Sequence, residues 1–273
     1  MLRLLSSLCL PAVAMLSLVQ CSGLPRPAPS DIDRTSLYQD AGKIVQRSAT
    51  FSGKSWQRYQ SVEVSYRGEW SKLSPKIQPV LVDADFRRSS DEIYRPRKGS
   101  VQQTHRGPGG TKTVKRVRRE PAIVTYNGKT SQDAEVIAAA NLVTDAYTLF
   151  LFGTTWLESQ KMIFRDVGQR RFEGEVCDLV AGTLRPGLGD AKEDGIIAWI
   201  SQKTGLLRRI QFSINGLEST RGADADVTFH DFLIAPDGSV WPTRFVEKVQ
   251  RPFVFKAHEW ELTGLKLDGE KIR

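Results

Sequence analysis

Ile197-Ala198-Trp199-Ile200-Ser201-Gln202-Lys203-Thr204-Gly205-Leu206-Leu207-Arg208-Arg209-Ile210 reads as two apolar strands joined by a tight turn, and this reading decides the fold. Gly205 supplies the positive φ that a tight turn needs, and the β-branched and aromatic residues around it suit a buried pleated surface. The same signal recurs outward along the chain. Val62, Val64 and Tyr66 alternate with Ser61, Glu63 and Ser65, the period-two pattern of a strand with one apolar face. Comparable runs cover residues 77–86, 123–126, 161–167, 175–181, 196–200, 207–214, 226–234, 240–250 and 257–267, and Pro236-Asp237-Gly238-Ser239 is a further hairpin turn. Strands that follow one another through short turns pair antiparallel. A succession this long makes a large sheet, which must curl and must cover its apolar face.

Two helical segments can provide the cover. After Ser30, a capping residue, Ile32, Leu37, Ala41, Ile44, Val45 and Ala49 recur near helical spacing until Gly53. A second helix is expected over residues 132–152, with Ser131 as its cap and Gly153 as its stop. Asn141, Thr144, Asp145 and Thr148 form one narrow polar stripe on this otherwise apolar cylinder. Polar residues in mid-segment argue against a membrane span and for burial against the sheet. The expected class is α+β, mainly antiparallel β, a curved sheet with helices across its concave face.

The N-terminus reads as an address. Arg3 precedes an apolar run from Leu4 to Val19, about 24 Å long as a helix and so short of a hydrocarbon core of about 30 Å. Leu18-Val19-Gln20-Cys21 resembles a bacterial lipobox, which makes residues 1–20 a signal peptide and Cys21 a lipidated N-terminus. Simple secretory cleavage after Ala12-Val13-Ala14 and an uncleaved anchor are the alternatives. Residues 21–30, rich in proline and small residues, are expected to form a tether. Residues 31–273 are expected to form one domain, since no second Pro/Gly/Ser-rich linker divides them. Ser22, in place of an aspartate, favours the outer membrane and a periplasm-facing domain. Of three cysteines, Cys9 falls in the signal and Cys21 carries lipid, which leaves Cys177 as a small buried residue on a strand.

The net charge is +8. From Arg95 to Arg119 there are nine lysines or arginines and no acid, around the turn Gly107-Pro108-Gly109-Gly110. This stretch is expected to be an exposed hairpin, with Lys112, Lys115, Arg116, Arg118 and Arg119 available to an anionic surface. An exported protein is not expected to meet nucleic acid.

The order of elements, together with the opening stretch, Val227-Thr228-Phe229-His230-Asp231-Phe232 and Asp237-Gly238-Ser239-Val240-Trp241-Pro242-Thr243-Arg244, resembles the LolA/LolB-like superfamily of periplasmic lipoprotein carriers and receptors, including outer-membrane lipoprotein-sorting proteins. In layout the resemblance spans residues 31–267. It implies an unclosed β-barrel whose apolar cavity, lidded by helices, shelters acyl chains or another hydrophobic ligand. Candidate cavity residues, taken from the apolar phase of their strands, are Val62, Val64, Tyr66, Ile210, Phe212, Val227 and Phe229. Phase does not separate core from cavity. The six tryptophans read as packing residues.

Catalytic readings find no support. Lys112 does not follow Gly110 directly, so the basic turn is not a phosphate loop, and neither H-E-x-x-H nor G-x-S-x-G occurs. Asp226 and His230 share a strand face, but one histidine with scattered acids is not a metal-ligand pattern. No enzyme activity, cofactor or metal is expected. The functional classes left are a membrane-anchored carrier or receptor for lipid, acyl chain or lipidated protein, and a structural or interaction lipoprotein with a filled core.

Overall fold

The computed structural model describes residues 24–35 and 41–273; Cys21 and the expected signal peptide lie outside them. The described chain begins with α1 (Pro29–Arg34), α2 (Ala41–Phe51) and α3 (Ser55–Arg58). Then come β1 (Val62–Trp70), two one-turn helices α4 (Ser74–Ile77) and α5 (Pro79–Val82), and a meander of β2 (Ser89–Arg95), β3 (Ser100–Gly107), β4 (Gly110–Val117), β5 (Ile123–Tyr126) and β6 (Lys129–Thr130). The long helix α6 (Ala134–Ser159) leads to a second meander of β7 (Phe164–Phe172), β8 (Glu175–Leu184), β9 (Asp194–Ser201), β10 (Leu207–Ile214), β11 (Ala223–Ile234), β12 (Val240–Arg251) and β13 (Phe255–Leu267), with β14 (Glu270–Lys271) folded back on β13.

Among the described residues these fourteen strands form one antiparallel sheet that does not close, so the fold is an α+β curved, unclosed barrel. The two meanders meet where β1 pairs with β13, Val62 opposite Leu267, which leaves β6 and β7 as the free edges. α6 connects those edges. Its 26 residues, about 39 Å at 1.5 Å each, run along the inside of the curve. The helix is long and apolar enough to span a membrane, yet most of it is buried in the protein. Val62, Val64, Tyr66, Ile210, Phe212, Val227 and Phe229 all belong to the buried core between it and the sheet.

Several expected boundaries move, for local reasons. Asp133, not Ser131, caps α6, accepting from the backbone N–H of Glu135 at 2.9 Å and of Val136 at 3.2 Å. Gly153 bends the helix and does not end it. Its φ of 51° and ψ of −127° suit glycine alone, and a Cβ there would meet Leu207 Cδ2 at 3.0 Å. Beyond the bend, Thr154 and Thr155 bond Ser48 at 3.0 Å and Ser55 at 3.1 Å, which ties α6 to α2 and α3. Residues 77–86, expected as a strand, instead carry the end of α4 and all of α5. Pro75 and Pro79 sit at the first turns of those helices, where a missing N–H costs nothing, whereas a sheet would need it.

The second meander is covered on its convex side as well. Ile32 of α1 packs with Cys177, Leu179, Ala181, Ile197 and Trp199 of β8 and β9, and Leu24 joins them. Gln211 donates to the Pro25 carbonyl at 2.9 Å, and Pro27 is buried against Gly195. Residues 24–28 of the expected tether are therefore a strap laid along the sheet. Cys177 is buried as expected, and burial pushes its thiol up to about 11.

Candidate functional site

The interior is packed over most of its length. Phe150 of α6 lies with its ring centroid 5.7 Å from Phe212 and 5.5 Å from Phe245. At the end of the sheet where β11 begins and β12 finishes, packing is incomplete and a cavity of about 380 Å³ remains. That volume falls within the range of small-molecule sites, about 300–1,000 Å³. α6 contributes Leu142, Ala146 and Tyr147 to its wall, the strands contribute Phe212, Val249 and Ala257, and α4 and α5 cover it with Ile77 and Leu81. Ile77 and Phe253 also stand exposed, so the cavity opens between α4 and the loop that joins β12 to β13. A depression of similar volume, about 390 Å³, is bounded only by residues of α2 and is open surface.

Of the seven candidate cavity residues, Phe212 alone lines this space. Phe229 borders a void of about 30 Å³, and the other five are packed core. The apolar phase identified the buried face correctly; the cavity lies at one end of that face, where the loops and α5 determine how far the helix can approach. Four tryptophans, Trp156, Trp199, Trp241 and Trp260, are fully buried packing residues, but Trp70 lines the cavity. The strand phases of Val249 and Ala257 were available in the sequence, whereas Arg87 gave no signal.

One wall is polar. Arg87, almost wholly buried, donates to the Leu81 carbonyl at 2.7 Å and to Tyr147 Oη at 2.5 Å, and its guanidinium lies 4.9 Å from the Trp70 ring. Tyr147 Oη is 2.9 Å from His258 Nε2, and His258 Nδ1 is 3.2 Å from Glu247. Burial holds His258 well below its ordinary pKa, with the Arg87 charge acting in the same direction, so its ring is neutral. A neutral ring protonated on Nδ1 lets Tyr147 donate to Nε2. Glu247 lines the cavity itself. Burial pushes its carboxyl up to about 7; the Arg87 charge opposes the shift and Asp226 adds to it.

The basic hairpin is not uniformly exposed. Lys112, Val114 and Arg116 form the inward face of β4. Lys112 bonds Asp83 at 2.6 Å, and Arg116 lies 3.1 Å from Asp145 and donates to Thr144 Oγ1 at 3.0 Å. The polar stripe of α6 is thus the seat of a buried arginine, and the acids absent from residues 95–119 come from α6 and from Asp83, just past the end of α5. Desolvation lowers the Lys112 pKa and raises that of Asp145, each opposed by its partner's charge. Arg118 is partly buried over the Trp156 ring, at 5.0 Å. Lys115 and Arg119 remain exposed, whereas Lys112 and Arg116, buried in internal ion pairs, are not available to an external anionic surface. On the convex face, Asp226 is held by Arg209 and Gln250, and among the described residues no group of three or more His, Cys, Asp or Glu could hold a metal.

No protein-family model matches the sequence, and no curated protein does. Several solved structures are similar in fold. An outer membrane lipoprotein-sorting protein domain from Vibrio parahaemolyticus matches with a TM-score of 0.41 and 8% identity, over 83% of this chain and 93% of that one. A DUF1329 family protein from Desulfovibrio piger matches at 0.44 and 11% identity, over 86% and 94% of the two chains. A LolA superfamily protein from Nitrosomonas europaea matches at 0.37 and 12% identity, over 81% and 93%.

Proposed function

We propose that the protein is an exported lipoprotein, anchored through Cys21 to the periplasmic side of an outer membrane, that holds an acyl chain, a lipid or the acyl groups of a lipidated protein in the cavity under α4 and α5. The observation that carries this reading is a mostly apolar space of about 380 Å³ that opens to the surface in an otherwise packed interior. Each methylene transferred into such a space gains about 0.8 kcal/mol, so retention needs no catalytic group. A fluorescent fatty acid should bind saturably and be displaced by phospholipid. Ala146→Trp, which fills the space, and Val249→Arg, which charges it, should weaken binding. Val64→Ala should lower the melting temperature and leave affinity unchanged, because Val64 belongs to packed core away from the cavity. Absence of saturable binding would favour the reading as a structural or interaction lipoprotein.

A further inference from the structure

We infer that the rim of the cavity mouth is a membrane-docking face, pressed against the bilayer in which Cys21 is anchored, so that an acyl chain passes between bilayer and cavity without crossing water. This rests on the reading of Cys21 as lipidated and of the cavity as a hydrophobic-ligand site. Three features of one end of the molecule carry it.

The strap comes to the mouth. Arg251, which lines the cavity, is paired with Asp224 and donates to the Leu24 carbonyl at 3.4 Å. The three residues from Leu24 back to Cys21 span at most about 11 Å. A lipid on Cys21 would therefore enter the bilayer within that distance of Leu24, beside the mouth.

The rim is also greasy. Phe253 and Val254, at the tip of the loop between β12 and β13, are 49% and 46% exposed, and Leu73 and Ile77 stand exposed at α4 across the opening. Side chains of this size, exposed around a cavity entrance, bury their area well at the boundary between head groups and acyl chains. The third feature is charge. Lys72 and Lys76 are exposed beside the apolar pair of α4, Arg221 lines the mouth in an exposed ion pair with Glu218 at 2.6 Å, and Arg26 of the strap lies close enough to Asp224 to act on its carboxyl. Cations ringing an apolar tip suit anionic lipid head groups.

The contrast within β11 supplies the test. Ala223 lies at the mouth and Ile234, 69% exposed, at the other end of the same strand, about 37 Å away at 3.4 Å per residue. Full-length protein carrying Phe253→Cys or Ile234→Cys, labelled with an environment-sensitive fluorophore, is bound to vesicles of phosphatidylethanolamine and phosphatidylglycerol that contain a lipid-borne quencher. Cys177 is buried and will not compete for label. The label at 253 should be quenched and the label at 234 should not. Leu73→Ser combined with Val254→Ser should slow transfer of a fatty-acid probe from vesicles to the protein about tenfold, with its affinity in solution unchanged. Equal quenching at both positions, or none at 253, overturns the inference. So does a change at 253 that follows protein concentration without vesicles, since a second copy would then cover the rim. Mass spectrometry of the acylated N-terminus and probe binding in solution report separately on the anchor and the cavity, so failure of either is distinct from failure of the quenching contrast.

Discussion

Glu247 illustrates how a side chain can be costly where it stands and still be tolerated. Its carboxyl titrates at about 7 in the folded protein against an ordinary 4.5, because burial at the cavity wall opposes ionisation more than Arg87 favours it. The folded state therefore binds the proton more tightly than the unfolded state does. The stability this contributes is complete below about pH 4.5 and is lost as pH rises through about 7, a change on the order of 3 kcal/mol. Glu247→Gln should melt at nearly the same temperature as the parent at pH 4 and clearly higher at pH 8. Asp194, raised by burial to about 6, acts in the same direction, so the parent's loss of stability with pH should shrink in the variant without vanishing. If the two melting curves stay parallel from pH 4 to pH 8, Glu247 is not the group that titrates. Nothing in the sequence around Glu247 announces this, since a glutamate between Val246 and Lys248 on an alternating strand reads as a solvated residue.

The hairpin of β3 and β4 and the helix α6 show which half of a contact a sequence reveals. A run of cations without acids and a helix with one polar stripe were both legible; that each completes the other was not, because Arg116 and Asp145 stand far apart in the chain. Alternation located most strands of the second meander to within a few residues, since their apolar faces obey period two. β2 escaped because its inward face carries Ser90 and Glu92, which bond each other at 2.7 Å inside the barrel, and α4 and α5 escaped because a proline-punctuated apolar run imitates an edge strand. The docking of hairpin on helix can be measured. Arg116→Met leaves Asp145 buried without its cation and should cost about 3–5 kcal/mol, most of it recovered when Asp145→Asn is added. Lys115→Gln, on the exposed face of the same strand, should change stability by less than about 0.5 kcal/mol. A single variant at Arg116 with parental stability would mean that the pair is solvated and the hairpin free.

The molecule as a whole is two meanders joined along β1 and β13 and spanned by one helix, and this connectivity decides how a ligand acts on it. A long succession of strands with a buried helix in mid-chain made the curved sheet legible, but the joining of first and last strands, and the place where packing fails, depend on contacts between distant segments. The cavity draws on both meanders: Trp70 ends β1, α4 and α5 follow it, Phe212, Val249 and Ala257 belong to the second meander, and Tyr147 belongs to the helix that crosses between them. No part of the wall can unfold without opening the cavity, so a bound hydrophobic ligand should stabilise the domain as one unit. At a free ligand concentration a hundred times its Kd the gain is about 2.7 kcal/mol, which for a domain of this size raises the melting temperature by about 5–10 °C. Calorimetry with and without a saturating fatty acid should show one transition displaced as a whole, and Ala146→Trp should abolish the displacement. Two transitions, with the ligand moving only one, would mean that the meanders fold independently and that the cavity belongs to one of them.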